Sequence, residues 1–290
     1  MSEANSLPNF DKLWNFGDPA ATEAAFQKLL PLAEASGDAS YLLQLRTQIA
    51  RTFSLRRQFD ECNAILDSVE QELSPDLVLV QVRLLLERGR SFNSAGSPER
   101  ALPLFIEAYH LADSIQALRF AIDAVHMIAI AEPDKRRQIE WNLRGIAMVE
   151  ANPEQKAWLW ALYNNVGDAY AEISEWQTAH SIYQKLLKLQ TELKGKPDIH
   201  TKKDDARALR HLGRPEQALE MMEPILDSLL RSGADDGWIR EELAEDLEAL
   251  GRHTEARPHF QKALDQLKDD DWVKQNDPAK LQQLKRMAGL

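Results

Sequence analysis

The chain has 290 residues, 44% hydrophobic and 28% charged, with only 12 glycines, proportions that favour long helices over a turn-rich β-fold. Lys and Arg total 35 against 46 Asp and Glu, a net charge of −11 that disfavours a general binder of nucleic acid or anionic membrane. The single cysteine, Cys62, excludes an intramolecular disulfide framework and a cysteine-based zinc site.

The start, Met1-Ser2-Glu3-Ala4-Asn5-Ser6, has neither a basic stretch nor an apolar one, and no apolar run approaches the roughly 20 residues of a membrane helix. A soluble, cytoplasmic protein is expected. In chain order, the first element is a half-formed one, Gly17-Asp18-Pro19 with Phe26 and Leu29. Ala50, Phe53, Cys62, Leu66 and Val69 follow, then Gly89, Phe92, Gly96-Ser97-Pro98, Ala101, Phe105 and Ala108. A divergent segment carries Val125, His126, Ala129, Gln138 and Gly145. The clearest has Tyr163, Val166, Gly167 and Tyr170, then Ala179, Tyr183 and Leu186. Two more hold Ala206, Leu209, Gly213, Ala218, Met222 and Ile225, and Leu243, Ala244, Leu247, Gly251, Ala256, Phe260 and Ala263. Asn276-Asp277-Pro278 opens a last amphipathic helix with Leu281, Leu284 and Met287 on one face.

Every segment reads as a helix, a short turn and a second helix. Thr22, Cys62, Ala101, Gln138, Ala179, Ala218 and Ala256 hold one place in the second helix, with spacings of 40, 39, 37, 41, 39 and 38. Paired helices approach closely where one presents Gly or Ala, here Gly89, Gly167, Ala206 and Ala244 toward Ala101, Ala179, Ala218 and Ala256. The aromatics are expected to fill the wedge between one hairpin and the next. Gly96-Ser97-Pro98 and Gly213-Arg214-Pro215 end one helix and start another.

This layout resembles the tetratricopeptide repeat family, whose pattern is W-x2-L-G-x2-Y, then A-x3-F, then P, at a period of 34. The longer period here implies helices half a turn to a turn longer. By period alone the chain is also similar to the solenoids of bacterial peptide- or sugar-sensing regulators and of kinesin light chains. The resemblance implies an all-α, right-handed α-α superhelix, a single solenoid over residues 1–290. Its hairpins fall near residues 9–36, 38–73, 76–112, 115–151, 154–193, 198–232 and 236–268, with a capping helix near 277–288. No room is left for a separate catalytic or DNA-reading domain.

In such a superhelix the first helix of each hairpin lines a concave groove. The rows are Thr47, Arg51 and Ser54; Leu86, Arg90 and Asn93; Asp123, Met127 and Ile130; Trp160, Asn164, Asp168 and Ala171; Lys203, Arg207 and Arg210; Glu241, Glu245 and Glu248. Arg207 and Arg210 could simply pair with Glu241, Glu245 and Glu248. Alternatively Arg51, Arg90 and Arg207 are held for an acidic peptide or anionic small molecule. Asp235 to Asp271 carries 12 acids and 5 bases, which reads as a solvated last repeat or as a docking surface for a basic partner. The lysine, asparagine and arginine clamp that grips chaperone tails in one subclass of the family is absent, its rows holding Thr47 and Arg51, Leu86, Glu87 and Arg90, and Phe120, Asp123 and Ala124.

His126 stands where other copies carry Gly or Ala. It reads as a buried neutral histidine bonded to Asp123 or a backbone carbonyl, or as part of a polar pocket with Asp123, Asn164, Asn165 and Asp168 under Trp160. Nothing else points to catalysis: there is no phosphate loop, no H-E-x-x-H and no nucleophile elbow. The expectation is a non-catalytic scaffold or adaptor binding a protein or peptide, without cofactor, metal or nucleic acid. The alternative is a small-molecule sensor or unusual enzyme using the middle pocket. The partner's identity and the oligomeric state stay open.

Overall fold

The computed structural model describes residues 7–290, which hold helices and no strand. The chain falls into two compact units, one ending at Lys156 and the other running from Ala157 to Leu290.

The N-terminal unit contains α1 (Pro19–Gln27), α2 (Leu30–Ser36), α3 (Ala39–Leu55), α4 (Phe59–Gln71), α5 (Val78–Ser94), α6 (Pro98–Ser114), α7 (Leu118–Ala131) and α8 (Lys135–Glu150). Helices α3–α4, α5–α6 and α7–α8 are the hairpins, and α3 packs on α5 as α5 packs on α7. Aspartates start several helices by accepting a free backbone N–H: Asp18 from Ala21, Asp38 from Tyr41 and Asp134 from Arg137. The element expected at residues 9–36 is only part of a hairpin. A 3-10 turn, Phe10–Leu13, stands in for its first helix, and its second is interrupted between α1 and α2. Pro31 has no N–H to bond the carbonyl of Gln27, so the helix cannot run through. Phe26 still seats fully buried, with Phe10 edge-on at 6.2 Å.

The C-terminal unit contains α9 (Leu159–Glu172), α10 (Trp176–Lys194), α11 (Ile199–His211), α12 (Pro215–Arg231), α13 (Gly237–Ala249), α14 (His253–Leu267), α15 (Asp271–Asn276) and α16 (Pro278–Ala288). Asp198, Asp236, Asp270 and Asp277 cap α11, α13, α15 and α16. Hairpins α9–α10, α11–α12 and α13–α14 stack in series, and α16 packs on α14. Leu284 and Ala288 are buried there and Leu281 and Met287 lie against the same core, as the capping helix was expected to do. Burying a leucine such as Leu284 contributes about 1.5–3 kcal/mol.

The close-packed residues are where the repeat places them, and the aromatics meet residues on both sides. A Cβ on Gly89 would lie 2.4 Å from the Phe105 ring, and one on Gly167 would lie 2.6 Å from Tyr183. The ring four residues after the small residue therefore covers the glycine of its own hairpin, and it also shares a buried cluster with the next hairpin, Phe105 with Ala121 and Val125 and Tyr183 with Ala208. In the divergent hairpin Ala124 and Val125 are fully buried, while His126 is half-buried beside them. His126 lies within electrostatic reach of Asp123 and Arg90.

Candidate functional site

On the N-terminal unit, the first helices α3, α5 and α7 share a charged row whose members pair with one another. Arg51 reaches Glu87 at 3.0 Å, Glu87 accepts from Arg90 at 2.8 Å, and Arg90 continues to Asp123. Gln48 also donates to Glu87, at 3.2 Å, and accepts from the Trp14 indole at 3.1 Å. The Arg51 guanidinium lies over the stacked rings of Trp14 and Phe16. Burial pushes the Glu87 and Asp123 carboxyls up, yet the nearby arginines, Arg90 foremost, outweigh it and hold both below the usual carboxylate range. Burial lowers His126, with Asp123 opposing and Arg90 adding, so the imidazole is neutral near pH 7. At the foot of the same helices Arg83 makes a forked bond to Asp11, at 2.6 and 3.1 Å, and Arg119 joins it at 3.1 Å. Asn93 is half-buried near the end of α5.

The C-terminal unit is less complete. Asp168 on α9 accepts from the Tyr183 hydroxyl at 2.8 Å and from Asn164 at 3.0 Å. Burial, with Asp204 adding, pushes its carboxyl up to about 6. Trp160 lies under the Lys194 ammonium, 4.0 Å from its ring centre. Arg207 pairs with Glu242 at 3.0 Å, while Arg210 bonds Glu242 and, at 2.6 Å, Asp246. The partners expected for these arginines were Glu241, Glu245 and Glu248. Instead Glu241 binds Lys280 at 2.7 Å, Glu248 binds His253 at 2.6 Å, and Glu245 accepts from the Gln283 amide at 3.3 Å. The acids facing α11 are one position further along α13 because packing, not the repeat count, sets that helix's rotation. Fully buried Asp246 is pushed up to about 7 by that burial, against the pull of Arg210.

Two open-sided cavities lie on this face and share Lys203 and Arg207. The smaller, about 400 Å³, is lined by Asp168, Glu172, Trp176, Tyr183 and Asp204. The larger, about 750 Å³, is bounded by α11, α13 and the tail helices α15 and α16. Trp238 and Trp272 form its aromatic wall, centroids 6.0 Å apart and edge-to-face, and Trp272 is 58% exposed. Lys203 and Lys280 flank the Trp238 ring at 5.8 and 5.1 Å.

Of the nine residues expected to line a groove, the structure thus divides Arg51, Arg90, Asn93, Asp123 and His126 from Trp160, Asn164, Asp168 and Arg207 by unit. Asp168 and Arg207 line a cavity. The three arginines expected to hold an acidic ligand each already hold a carboxylate. Sequence reasoning missed Trp238, Trp272, Lys280 and Gln283. The available signal was Asp270-Asp271-Trp272 ahead of the cap, a capped turn carrying an aromatic. Among the described residues no cluster of His, Cys, Asp and Glu is arranged for a metal, and no helix is long and apolar enough to cross a membrane. The buried Cys62 thiol is pushed up to about 11 by its burial, an inert packing group.

Residues 205–269, spanning most of α11 to α14, match the tetratricopeptide repeat family. That family match lies within the C-terminal unit. Comparison of the repeat fold with solved structures extends the likeness over both units. The apo form of the quorum sensor NprR from B. thuringiensis is 15% identical, with a TM-score of 0.67 over 95% of this chain and 78% of that one. NprR in complex with its cognate peptide NprX is 16% identical, TM-score 0.58, over 93% and 79%. A tetratricopeptide repeat protein from Parabacteroides merdae is 13% identical, TM-score 0.54, over 97% of each. At such identities the likeness is one of fold. A comparison with curated protein sequences finds no match.

Proposed function

We propose that the protein is a non-catalytic binding module and that the first-helix face of its C-terminal unit receives a peptide or an extended segment of a partner protein. The observation that carries this reading is the 750 Å³ cavity walled by Trp238 and exposed Trp272. An aromatic wall open on one side and continued by a second cavity suits a chain segment better than an enclosed small molecule, although the volume alone would suit either. The fold supports the reading, since NprR, a structure of this fold, was solved with a peptide bound. Catalysis is disfavoured because Asp123, the carboxylate beside His126, is engaged by Arg90 and does not orient a free base.

The test is panning of a phage-displayed library of random short peptides on the protein, followed by binding of recovered peptides to Trp272→Ala. Trp272 is exposed, so the variant should fold. Peptides should be enriched and should bind the variant about tenfold more weakly, the loss expected of an aromatic interface anchor. Failure to enrich any peptide would overturn the reading.

A further inference from the structure

Two carboxylates on the first-helix face of the C-terminal unit have no cation of their own among the described residues. Glu245 lines the larger cavity with the Gln283 amide as its partner. Burial raises its carboxyl above the usual range, and the bases near it are engaged elsewhere, Lys280 by Glu241 and Arg210 by Glu242 and Asp246. Asp168, in the smaller cavity, is held by the neutral donors Tyr183 and Asn164. The arginines of the same face are in the opposite condition. Arg207 and Arg210 have carboxylates bound, so an anionic ligand would have to displace Glu242 or Asp246. A cation displaces nothing and restores an interaction that a half-buried carboxylate lacks.

The distance between the free carboxylate and the aromatic wall sets a spacing. Trp238 and Glu245 are seven residues apart on α13, about 10 Å at 1.5 Å per residue. An extended chain covers that length in about three residues.

We propose that this groove takes a basic peptide segment, with an arginine or lysine side chain paired to Glu245 and a large apolar side chain about three residues away packed on Trp238 and Trp272. Asp168 offers the same pairing to a second basic residue. The proposal rests on the peptide-binding reading and specifies its ligand.

The panned library decides it. The expected consensus has Arg or Lys at one position and an aromatic or large aliphatic residue about three positions away. A synthetic consensus peptide should bind Glu245→Gln about tenfold more weakly. Replacing its basic residue with citrulline, a neutral isostere of arginine, should cost a similar factor. The two changes together should cost little more than either alone, because both remove one pairing. Glu245→Gln should melt with the parent protein, which separates lost binding from lost folding. An acidic consensus, or an uncharged one that still needs Trp272, would overturn this inference and leave peptide binding standing. Equal binding of the consensus by Glu245→Gln would overturn it as well. No enrichment at all would remove both readings together.

Discussion

In the N-terminal unit, Arg51, Glu87, Arg90 and Asp123 alternate in sign across three helices and each finds its opposite. In the C-terminal unit, the corresponding helices pair Arg207, Arg210 and Lys280 with Glu242, Asp246 and Glu241 and leave Glu245 and Asp168 over. The hairpin plan is the same in both. What differs is whether the charges along the first helices are matched within the unit. A matched row is structural, and each charge in it is costly to remove. The unmatched row is where the proposed basic segment would pair. The extra helix α15, which swings Trp272 against Trp238, adds apolar surface at the unmatched end.

The sharpest way to break this contrast is Arg90→Ala. It strands Asp123 and takes from Glu87, 4% exposed, one of its two arginines, and should lower unfolding free energy by about 3–5 kcal/mol in a denaturant titration. An unchanged midpoint would show that the N-terminal row is not structural. Next come Gly89→Leu and Gly167→Leu, one per unit, each driving side-chain atoms into an aromatic ring of the same hairpin. Each should cost about 1–3 kcal/mol or more by thermal melt. A large loss in one unit only would mean that the two do not share a packing plan.

Asp168→Asn tests the unmatched row through pH. The native Asp168 carboxyl lies near 6 against 3.8 for the free group, so the folded state holds the proton more tightly than the unfolded one. Its contribution to stability is complete below about 3.8 and is lost as pH rises through about 6. The asparagine variant should therefore gain on the parent as melts are moved upward through that window, with the difference levelling off above it. A constant difference across the window would show that Asp168 is not held away from charge. Smallest of all, Glu245→Gln should change stability by less than about 0.5 kcal/mol, since Gln283 still has an acceptor there. A loss comparable to that of Arg90→Ala would place Glu245 among the structural charges.

The repeat was legible because close approach of two helices restricts residue type: Gly89, Gly167, Ala179 and Ala256 are buried where the spacing put them. The cap was legible from Asp277-Pro278 and the leucine pattern that follows. The charge partners were not. Choosing Glu242 over Glu241 requires knowing how far α13 is rotated about its axis, and a shift of one residue turns a side chain by about 100°. The candidate cavity was hidden for a different reason. Its walls come from α11, α13, α15 and α16, and only tertiary packing brings the short tail helices onto this face.

The paired arginines also constrain how the chain could be rebuilt. Arg51 reaches a glutamate 36 residues ahead, Arg207 one 35 ahead and Arg210 an aspartate 36 ahead, so each link joins one module to its successor. Neighbours are thus keyed to each other by sign. Duplicating the α11–α12 module would set Arg207 and Arg210 against their own copies where Glu242 and Asp246 now stand, so that module cannot be exchanged for its successor on shape alone.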